Sequence, residues 1–210
     1  MSGRARIQIA AILIVAVFGV GIWADGGAPH IWWLKFYSIA VAVVAVASTA
    51  WDHYFWRTGL FQRLRTVPRC VAGTWKGTLR TQWVDPSTGK APDPKTAYLV
   101  IRQTSTAVDV RLITDESESR STFGQVSSDT ESPTLDYLYL NEPRNSIRDR
   151  SPIHHGSASM KIVGRPASRL TGHYWTDRDT RGELDMKWHR KETADDFESS
   201  EDLFSQAKGA

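Results

Sequence analysis

The chain has 210 residues, which leaves room for one or two domains. Its formal net charge of +3 is too small to indicate a partner for DNA or RNA polymers, and its single cysteine, Cys70, excludes a disulfide scaffold. Residues 7–24 and 31–51 are apolar and carry almost no charge, whereas residues 71–210 are polar and charged, so the composition excludes a purely soluble globule.

The two apolar segments predict a transmembrane helical hairpin over residues 1–54. Residues 7–24 contain no charged side chain and would rise about 27 Å as a helix, close to the hydrocarbon thickness of a bilayer. A short turn at residues 25–29 precedes the second predicted span, residues 31–51. Lys35, the one charged residue of this span, lies near its start and can reach the membrane interface.

Basic residues flank the hairpin on both sides and predict its orientation. The arginines before the first span and after the second are Arg4, Arg6, Arg57, Arg63, Arg65 and Arg69. By the positive-inside rule, both termini of this multi-pass chain should face the cytoplasm. The alternative interpretation is that residues 7–24 are a cleaved signal peptide, but no clear A-x-A site follows them.

Small residues recur at helical spacing along one side of the second span: Ser38, Ala42, Ala45 and Thr49. Small faces let helices approach closely in lipid. We favour packing within the hairpin as their role, with contact between copies as the alternative.

Residues 55–70 alternate apolar and basic side chains, among them Trp56, Leu60, Arg63 and Arg65. This pattern is typical of an interfacial helix whose arginines meet anionic lipid headgroups. We therefore predict a basic interfacial connector that anchors the C-terminal part of the chain at the membrane surface.

From residue 71 to residue 190 the pattern changes to period-two alternation between turn signals. The predicted strands span residues 73–83, 96–104, 106–114, 119–128, 134–142, 154–163, 168–176 and 181–190. Because no helix separates these strands, we predict an all-β domain, an antiparallel eight-stranded meander barrel of lipocalin or fatty-acid-binding-protein-like architecture. Eight strands leave an interior that can hold one small ligand.

The acidic tail, residues 191–210, has no strand pattern. We predict that it is largely disordered, with a brief helix around residues 197–204.

The sequence lacks the arrangements that most enzymes use. It contains no Gly-x-Ser-x-Gly elbow, P-loop or dinucleotide fingerprint. His154 and His155 are adjacent in a predicted strand and point to opposite faces, so they cannot easily share a metal. We expect no enzymatic activity, no cofactor and no metal site.

One end of the predicted barrel collects polar and basic residues. The connections at 84–95, 143–153 and 177–180 meet at this end, where arginine forks suit phosphate and aromatic rings can stack on a base. The predicted ligand-binding residues are Ser119, Ser121, Tyr139, Asn141, Arg144, His155, Tyr174, Arg178 and Arg181. The alternative is that Asp149, Asp177 and Asp179 pair with these arginines as a solvated rim.

Local motifs along the predicted barrel add to this order of elements. They are Gly73-Thr74-Trp75, the segment 137–141 (Tyr-Leu-Tyr-Leu-Asn) with Pro143, His155-Gly156, and the segment 170–174 (Leu-Thr-Gly-His-Tyr) running into Arg178, Thr180, Gly182 and Leu184. Together with the hairpin and the basic connector, the chain resembles the two-transmembrane β-barrel effectors of CBASS, a bacterial antiphage defence.

The resemblance implies a specific function. In that family a partner nucleotidyltransferase, a CD-NTase, senses infection and makes a cyclic oligonucleotide, usually a cyclic dinucleotide, which the cytoplasmic barrel binds. The effector then forms a homo-oligomer in the inner membrane, the lipid bilayer loses integrity, and the infected cell stops growing or dies. Two alternatives stay open: a membrane-anchored lipocalin-like carrier or sensor of a small apolar ligand, and a protein-interaction platform whose lumen is filled.

Overall fold

The computed structural model describes residues 3–24, 26, 33–84, 89–127 and 132–205. These residues belong to two compact units, one within Met1–Phe61 and the other within Gln62–Ala210. Most of the turn predicted at residues 25–29 lies outside the described residues, as do part of the predicted connection 84–95 and part of the segment between the fourth and fifth predicted strands.

The first unit contains two helices, α1 (Gly3–Ala24) and α2 (Trp33–His53), at the positions of the two predicted spans. They pack side by side, with the rings of Phe18 and Tyr37 edge to face at 6.3 Å between centroids. Apolar side chains face outward, among them Val15 at 70% and Val46 at 69% exposure. Among the described residues, one helical segment, Tyr37–Arg57, is long and apolar enough to cross a bilayer, and α1 adds a shorter apolar stretch, Ala10–Ala24.

The small-residue side of α2 does not pack inside the hairpin. Ser38, Ala42, Ala45 and Thr49 are exposed, whereas Ala40 is fully buried. The interpretation that this stripe mediates packing within the hairpin is therefore wrong, because a different side of α2 is covered.

The connector is not the interfacial helix that we predicted. It contains two short 3-10 turns, Phe55–Arg57 and Phe61–Arg63, and no α-helix over the segment. Thr58 and Gly59, both weak helix formers, interrupt the apolar and basic pattern between the two turns. Within the second unit, Arg165 donates hydrogen bonds to the backbone carbonyls of Gln62 and Leu64 and so holds the later part of the connector in place.

The second unit is a closed antiparallel meander barrel, as predicted. Each strand pairs with the next, and the last strand pairs with the first, so the barrel has no free sheet edge. The strands are β1 (Gly73–Thr81), β2 (Lys95–Gln103), β3 (Val108–Ile113), β4 (Ser117–Ser127), β5 (Thr134–Pro143), β6 (His154–Val163), β7 (Arg169–Thr176) and β8 (Arg181–Arg190).

Alternate residues of every strand point into the barrel, and at one end they fill it. Trp75 at the start of β1, Ile101 near the end of β2, Ile162 near the end of β6 and Met186 in β8 are buried there. This apolar plug lies at the end where β2–β3, β4–β5 and β6–β7 connect. We call the opposite end, where β1–β2, β3–β4, β5–β6 and β7–β8 connect, the mouth.

The acidic tail is more ordered than we predicted. A helix, α3 (Phe197–Ser205), follows β8 at the position of the predicted brief helix. Phe197 and Phe204 pack against Tyr98, with ring centroids 5.4 and 6.0 Å away. The prediction of a largely disordered tail is therefore wrong for the described part, because the two phenylalanines cover apolar surface on the outside of the barrel.

Candidate functional site

A cavity of about 770 Å³ opens at the mouth of the barrel. This volume lies in the range of small-molecule sites, which is roughly 300–1,000 Å³. Its wall combines inward-facing strand residues, such as Leu79, Leu112 and Leu184, with residues of the connections between strands. The interior is thus filled at one end and open at the other.

Three tyrosines form much of the inner wall: Tyr137 and Tyr139 of β5 and Tyr174 of β7. Each is buried, with no more than 9% of its surface exposed. Burial raises the pKa of all three phenols, with the neighbouring phenols adding to the effect at Tyr137 and Tyr139, so they stay neutral donors at physiological pH. The wall therefore offers aromatic faces and neutral hydroxyls.

Glycines on the neighbouring strands make room for these rings. Gly156 is directly opposite Tyr139 in the β5–β6 ladder, and Gly182 is opposite Tyr174 in the β7–β8 ladder. A Cβ at Gly156 would overlap the Tyr139 phenol, and one at Gly182 would lie 2.6 Å from Tyr174 Cε1. Only the absence of a side chain at these two positions lets both rings lie against the barrel wall.

The mouth carries an ion-pair cluster centred on Glu116. The Glu116 carboxylate lies 2.5 Å from Lys95 Nζ and 2.5 Å from Arg150 Nη2. Partial burial raises the pKa of Glu116, but the hydrogen bonds and charges of Lys95 and Arg150 more than offset it, so this pKa lies below its ordinary value. Glu116 is therefore ionised at neutral pH and holds both cations at the rim.

Arg178 is held differently. Its guanidinium donates to Ser151 Oγ at 3.0 Å and to the Arg150 carbonyl at 3.4 Å, and it lies 3.5 Å from His154 Nδ1. Among the ion pairs between described residues, none involves Arg178 or the aspartates Asp149, Asp177 and Asp179. The mouth thus presents a half-buried guanidinium that no carboxylate neutralises within that part of the chain.

The structure brings five of the nine predicted site residues together around the cavity: Ser119, Tyr139, Asn141, Tyr174 and Arg178. They come from β4, β5, β7 and the β7–β8 turn, so the barrel closure unites residues far apart in sequence. Whether these residues bind a ligand stays a prediction.

Ser121 and Arg144 lie elsewhere. The Ser121 hydroxyl donates to Asp109 Oδ1 at 3.0 Å and accepts from the Val110 N–H at 2.8 Å, so it joins β3 to β4 where their backbone ladder ends. Arg144 is exposed and bonds through its backbone N–H to the Glu116 carbonyl. In the same β5–β6 connection, Arg150 lines the cavity and Arg144 does not.

His155 and Arg181 point outward. Residues of even number face inward in β6 and β8, as the buried Met160, Ile162, Leu184 and Met186 show. His154 therefore lines the cavity and His155 does not. Met160 and Ile162 are apolar and of even number, so the sequence could have predicted that His154 also faces inward.

The nine predicted site residues leave out several cavity residues, among them Lys95, Glu116, Arg150, Tyr137 and His154. Arg150 and Tyr137 belong to the arginines and aromatic rings that we expected at this end of the barrel, although they are not among the nine. Lys95 at the start of β2 and Glu116 in the β3–β4 turn gave no local signal, because only the closure of the barrel brings them to the cavity. Among the described residues, no group of three His, Cys, Asp or Glu side chains could hold a metal ion.

Two comparisons relate the chain to known proteins. A family model described as "Cap15, cyclic dinucleotide receptor domain" matches residues 67–190, which contain the whole barrel. A curated relative, CD-NTase-associated protein 15 from Staphylococcus schleiferi, is 25% identical over 175 residues, covering 83% of this chain and 87% of the relative.

Proposed function

This chain belongs to the Cap15 family of cyclic dinucleotide receptors, and from this membership we propose that it is a membrane-anchored effector of a bacterial antiphage CBASS system. The barrel binds a cyclic dinucleotide that an associated CD-NTase makes during infection. Binding drives the chain into a homo-oligomer, which disrupts the inner membrane and halts or kills the infected cell.

The cavity at the mouth is the observation that carries this proposal. Its inner wall provides the aromatic faces of Tyr139 and Tyr174, on which a nucleobase can stack. Its rim provides Arg150 and Arg178, whose planar forks suit phosphate oxygens. A cyclic dinucleotide carries bases and phosphates in one compact molecule, so it matches both parts of the cavity.

The charge of the rim supports an anionic ligand. The lining includes four basic side chains and two acidic ones: Lys90, Lys95, Arg150, Arg178, Asp93 and Glu116. A cleft whose net charge is opposite in sign to that of the ligand raises the local concentration of the ligand and speeds its association. The cationic excess favours a ligand with two phosphates over a neutral one.

The helical unit supports membrane anchoring. The segment Tyr37–Arg57 is apolar and of spanning length. If α1 is a second span, the arginines that flank the pair support, by the positive-inside rule, a cytoplasmic location of both termini and the barrel. A cytoplasmic barrel meets a second messenger made in the same compartment.

Activation requires that the ligand favour the assembled state over the resting one, since a ligand with equal affinity for both shifts nothing. A ligand at the mouth would contact the β5–β6 and β7–β8 connections through Arg150 and Arg178. Ordering these connections would change the surface that one copy presents to another. Copies confined to a membrane plane already have a raised local concentration, so a modest change in affinity suffices.

The two alternatives fit this cavity less well. A carrier of an apolar ligand needs an apolar lumen, whereas this wall includes three tyrosines and a charged rim. An interaction platform with a filled lumen does not need an open cavity of about 770 Å³.

Thermal unfolding of the full chain in detergent micelles tests the proposal. A ligand bound only by the folded state raises the unfolding midpoint. The panel contains cyclic di-AMP, cyclic di-GMP, cyclic GMP–AMP and cyclic UMP–AMP, with linear dinucleotides and a fatty acid as controls. Leakage of dye from vesicles that contain the protein is measured with the same panel.

We expect one cyclic dinucleotide to raise the midpoint and to cause leakage. A rise with the fatty acid alone would support the apolar carrier. No rise with any member of the panel, while the barrel is folded, would leave the interaction platform as the better hypothesis. A rise without leakage would retain the receptor and remove membrane disruption from the proposal.

A further inference from the structure

Two hydroxyls in the cavity wall have no hydrogen-bond partner among the residues that the structure describes: Ser119 Oγ and Tyr137 Oη. Ser119 is 2% exposed and Tyr137 is 3% exposed. An unpaired buried hydroxyl costs a folded protein free energy, because its hydrogen bonds to water are lost and not replaced. Both residues line the cavity, so a ligand group placed there could recover this energy.

The inner part of the cavity wall carries no charge among the described residues. Leu79, Leu112 and Leu184, together with the buried tyrosines, supply uncharged surface from the strands. The cationic side chains of the lining come from strand ends and connections, as Lys95 at the start of β2 and Arg178 after β7 illustrate. A phosphate placed deep in the barrel would lose its hydration without a cation to replace it, which is strongly unfavourable.

The two residues that carry the unpaired hydroxyls lie at different depths of the cavity. Ser119 pairs in the β4–β5 ladder with Asn141, near the mouth. Tyr137 lies four residues from Asn141 along β5, so its Cα is about 13 Å further from the mouth along the strand at 3.3 Å per residue. Both belong to the same wall of the barrel, on the neighbouring strands β4 and β5.

We infer that the ligand enters base first, and that the hydroxyls of Ser119 and Tyr137 bind polar groups on different edges of the inserted nucleobase, Ser119 nearer the mouth and Tyr137 deeper in the barrel. The base stacks against the tyrosine wall, and the phosphates remain at the rim with Arg150 and Arg178. Each hydroxyl can donate and accept, so each can pair with a base nitrogen, carbonyl or amino group. This inference rests on the proposed function and assigns its specificity to two uncharged residues.

Conservative substitutions separate this role from a structural one. Tyr137→Phe and Ser119→Ala each remove one hydroxyl and keep the packing of the wall. Because neither hydroxyl is paired in the unliganded barrel, the unfolding midpoint without ligand should stay the same or rise. Affinity for the cyclic dinucleotide that binds the wild type most tightly should fall about tenfold in each variant, the cost of one lost hydrogen bond and its unpaired partner.

Tyr98 provides a matched control. Its hydroxyl is also buried and without a partner among the described residues, but Tyr98 packs under Phe197 and Phe204 outside the cavity. Tyr98→Phe should therefore leave the affinity unchanged. Arg178→Gln is the contrasting variant, because it should weaken binding strongly at low ionic strength and less at 1 M salt, where charges are screened.

Calorimetric titration of the full chain in detergent micelles at 0.1 M and 1 M salt measures the affinity of each variant for the cyclic dinucleotide. A loss of affinity in Tyr137→Phe and Ser119→Ala that is the same at both salt concentrations, with no loss in Tyr98→Phe, supports the inference. Wild-type affinity in both cavity variants overturns the inference and leaves the proposed receptor intact. Failure of the wild type to bind any cyclic dinucleotide overturns the proposed function and the inference with it.

Discussion

Replacing Glu116 with glutamine should tighten the binding of an anionic ligand. The Glu116 carboxylate lies 2.5 Å from Lys95 Nζ and 2.5 Å from Arg150 Nη2, where it occupies the cations that a ligand phosphate needs. A phosphate that contacts the same cations would lie about 5 Å from this carboxylate, since each anion would be about 2.8 Å from a shared cation. Two like charges at that distance repel by about 1 kcal/mol in water-like surroundings and by about 3 kcal/mol at an effective dielectric constant of about 20.

The exposure of Glu116 decides between these two values. Its side chain is 34% exposed, so solvent screens the repulsion and the lower value applies. About 1 kcal/mol corresponds to a Kd about fivefold lower in the Glu116→Gln variant. The gain should shrink at 1 M salt, where the screening length is about 3 Å.

Calorimetric titration of the full chain with its cyclic dinucleotide measures this change. Glu118→Gln is the matched control, because Glu118 pairs with Arg111 and Arg120 at 2.9 Å each but does not line the cavity. Unchanged or weaker binding by Glu116→Gln would refute the reasoning. An equal gain in Glu118→Gln would also refute it, since the effect would then reflect net charge alone.

Three further predictions concern the stability of the barrel. Gly156→Ala would force the Tyr139 ring off the cavity wall, so we expect the free energy of unfolding to fall by about 1–3 kcal/mol and ligand affinity to drop; an unchanged unfolding midpoint would contradict this. Phe204→Ala removes a partly buried ring from the outer face, so we expect a loss of about 2 kcal/mol in chemical unfolding and faster amide exchange in β2, but no change in ligand affinity. Hydrogen bonds from Arg169 lower the pKa of the Asp185 carboxyl despite partial burial. As the pH falls, this carboxylate is therefore protonated in the unfolded chain before it is protonated in the folded protein. The stabilisation is therefore present above about pH 4 and lost as pH falls through the folded-state pKa, and urea unfolding between pH 3 and pH 7 should show a shallower decline in Asp185→Asn.

The strands of the barrel were predictable because alternation leaves a strong local signal. In β8, Leu184 and Met186 alternate with charged residues, and the predicted bounds, 181–190, agree with Arg181–Arg190. In β3 the predicted strand, 106–114, exceeds Val108–Ile113 by a few residues, because Thr104 and Thr114 use their hydroxyls to form the adjacent turns. Strand centres follow from hydrophobic pattern, and strand ends depend on turn chemistry.

The same alternation decided which predicted site residues reached the cavity. Tyr139 and Asn141 share the inward face of β5, and both line the cavity. His155 and Arg181 were chosen for their chemistry and position near a strand end, although the apolar residues of their own strands assign them to the outward face. A shift of one residue moves a side chain to the other side of a sheet, so chemistry without register misplaces a residue.

Ion-pair partners at the mouth could not be predicted from local sequence. The aspartates nearest in sequence to the mouth arginines, Asp149, Asp177 and Asp179, were the natural candidates. Arg150 instead meets Glu116, which lies 34 residues earlier in the β3–β4 turn. This contact forms only where two connections meet after the barrel closes, so the local sequence pattern carries no information about it.

The ordered helix in the tail could have been predicted from the sequence of β2. Residues 97–101 of β2, Ala-Tyr-Leu-Val-Ile, are apolar without alternation and are all buried. A strand of that kind needs cover on both faces, and the lumen supplies only one. Phe197 and Phe204 are seven residues apart, two helical turns, so they lie on one face of α3 and can cover Tyr98 together. The apolar run therefore required a partner for its outer face, and an amphipathic helix in an otherwise polar tail meets that requirement.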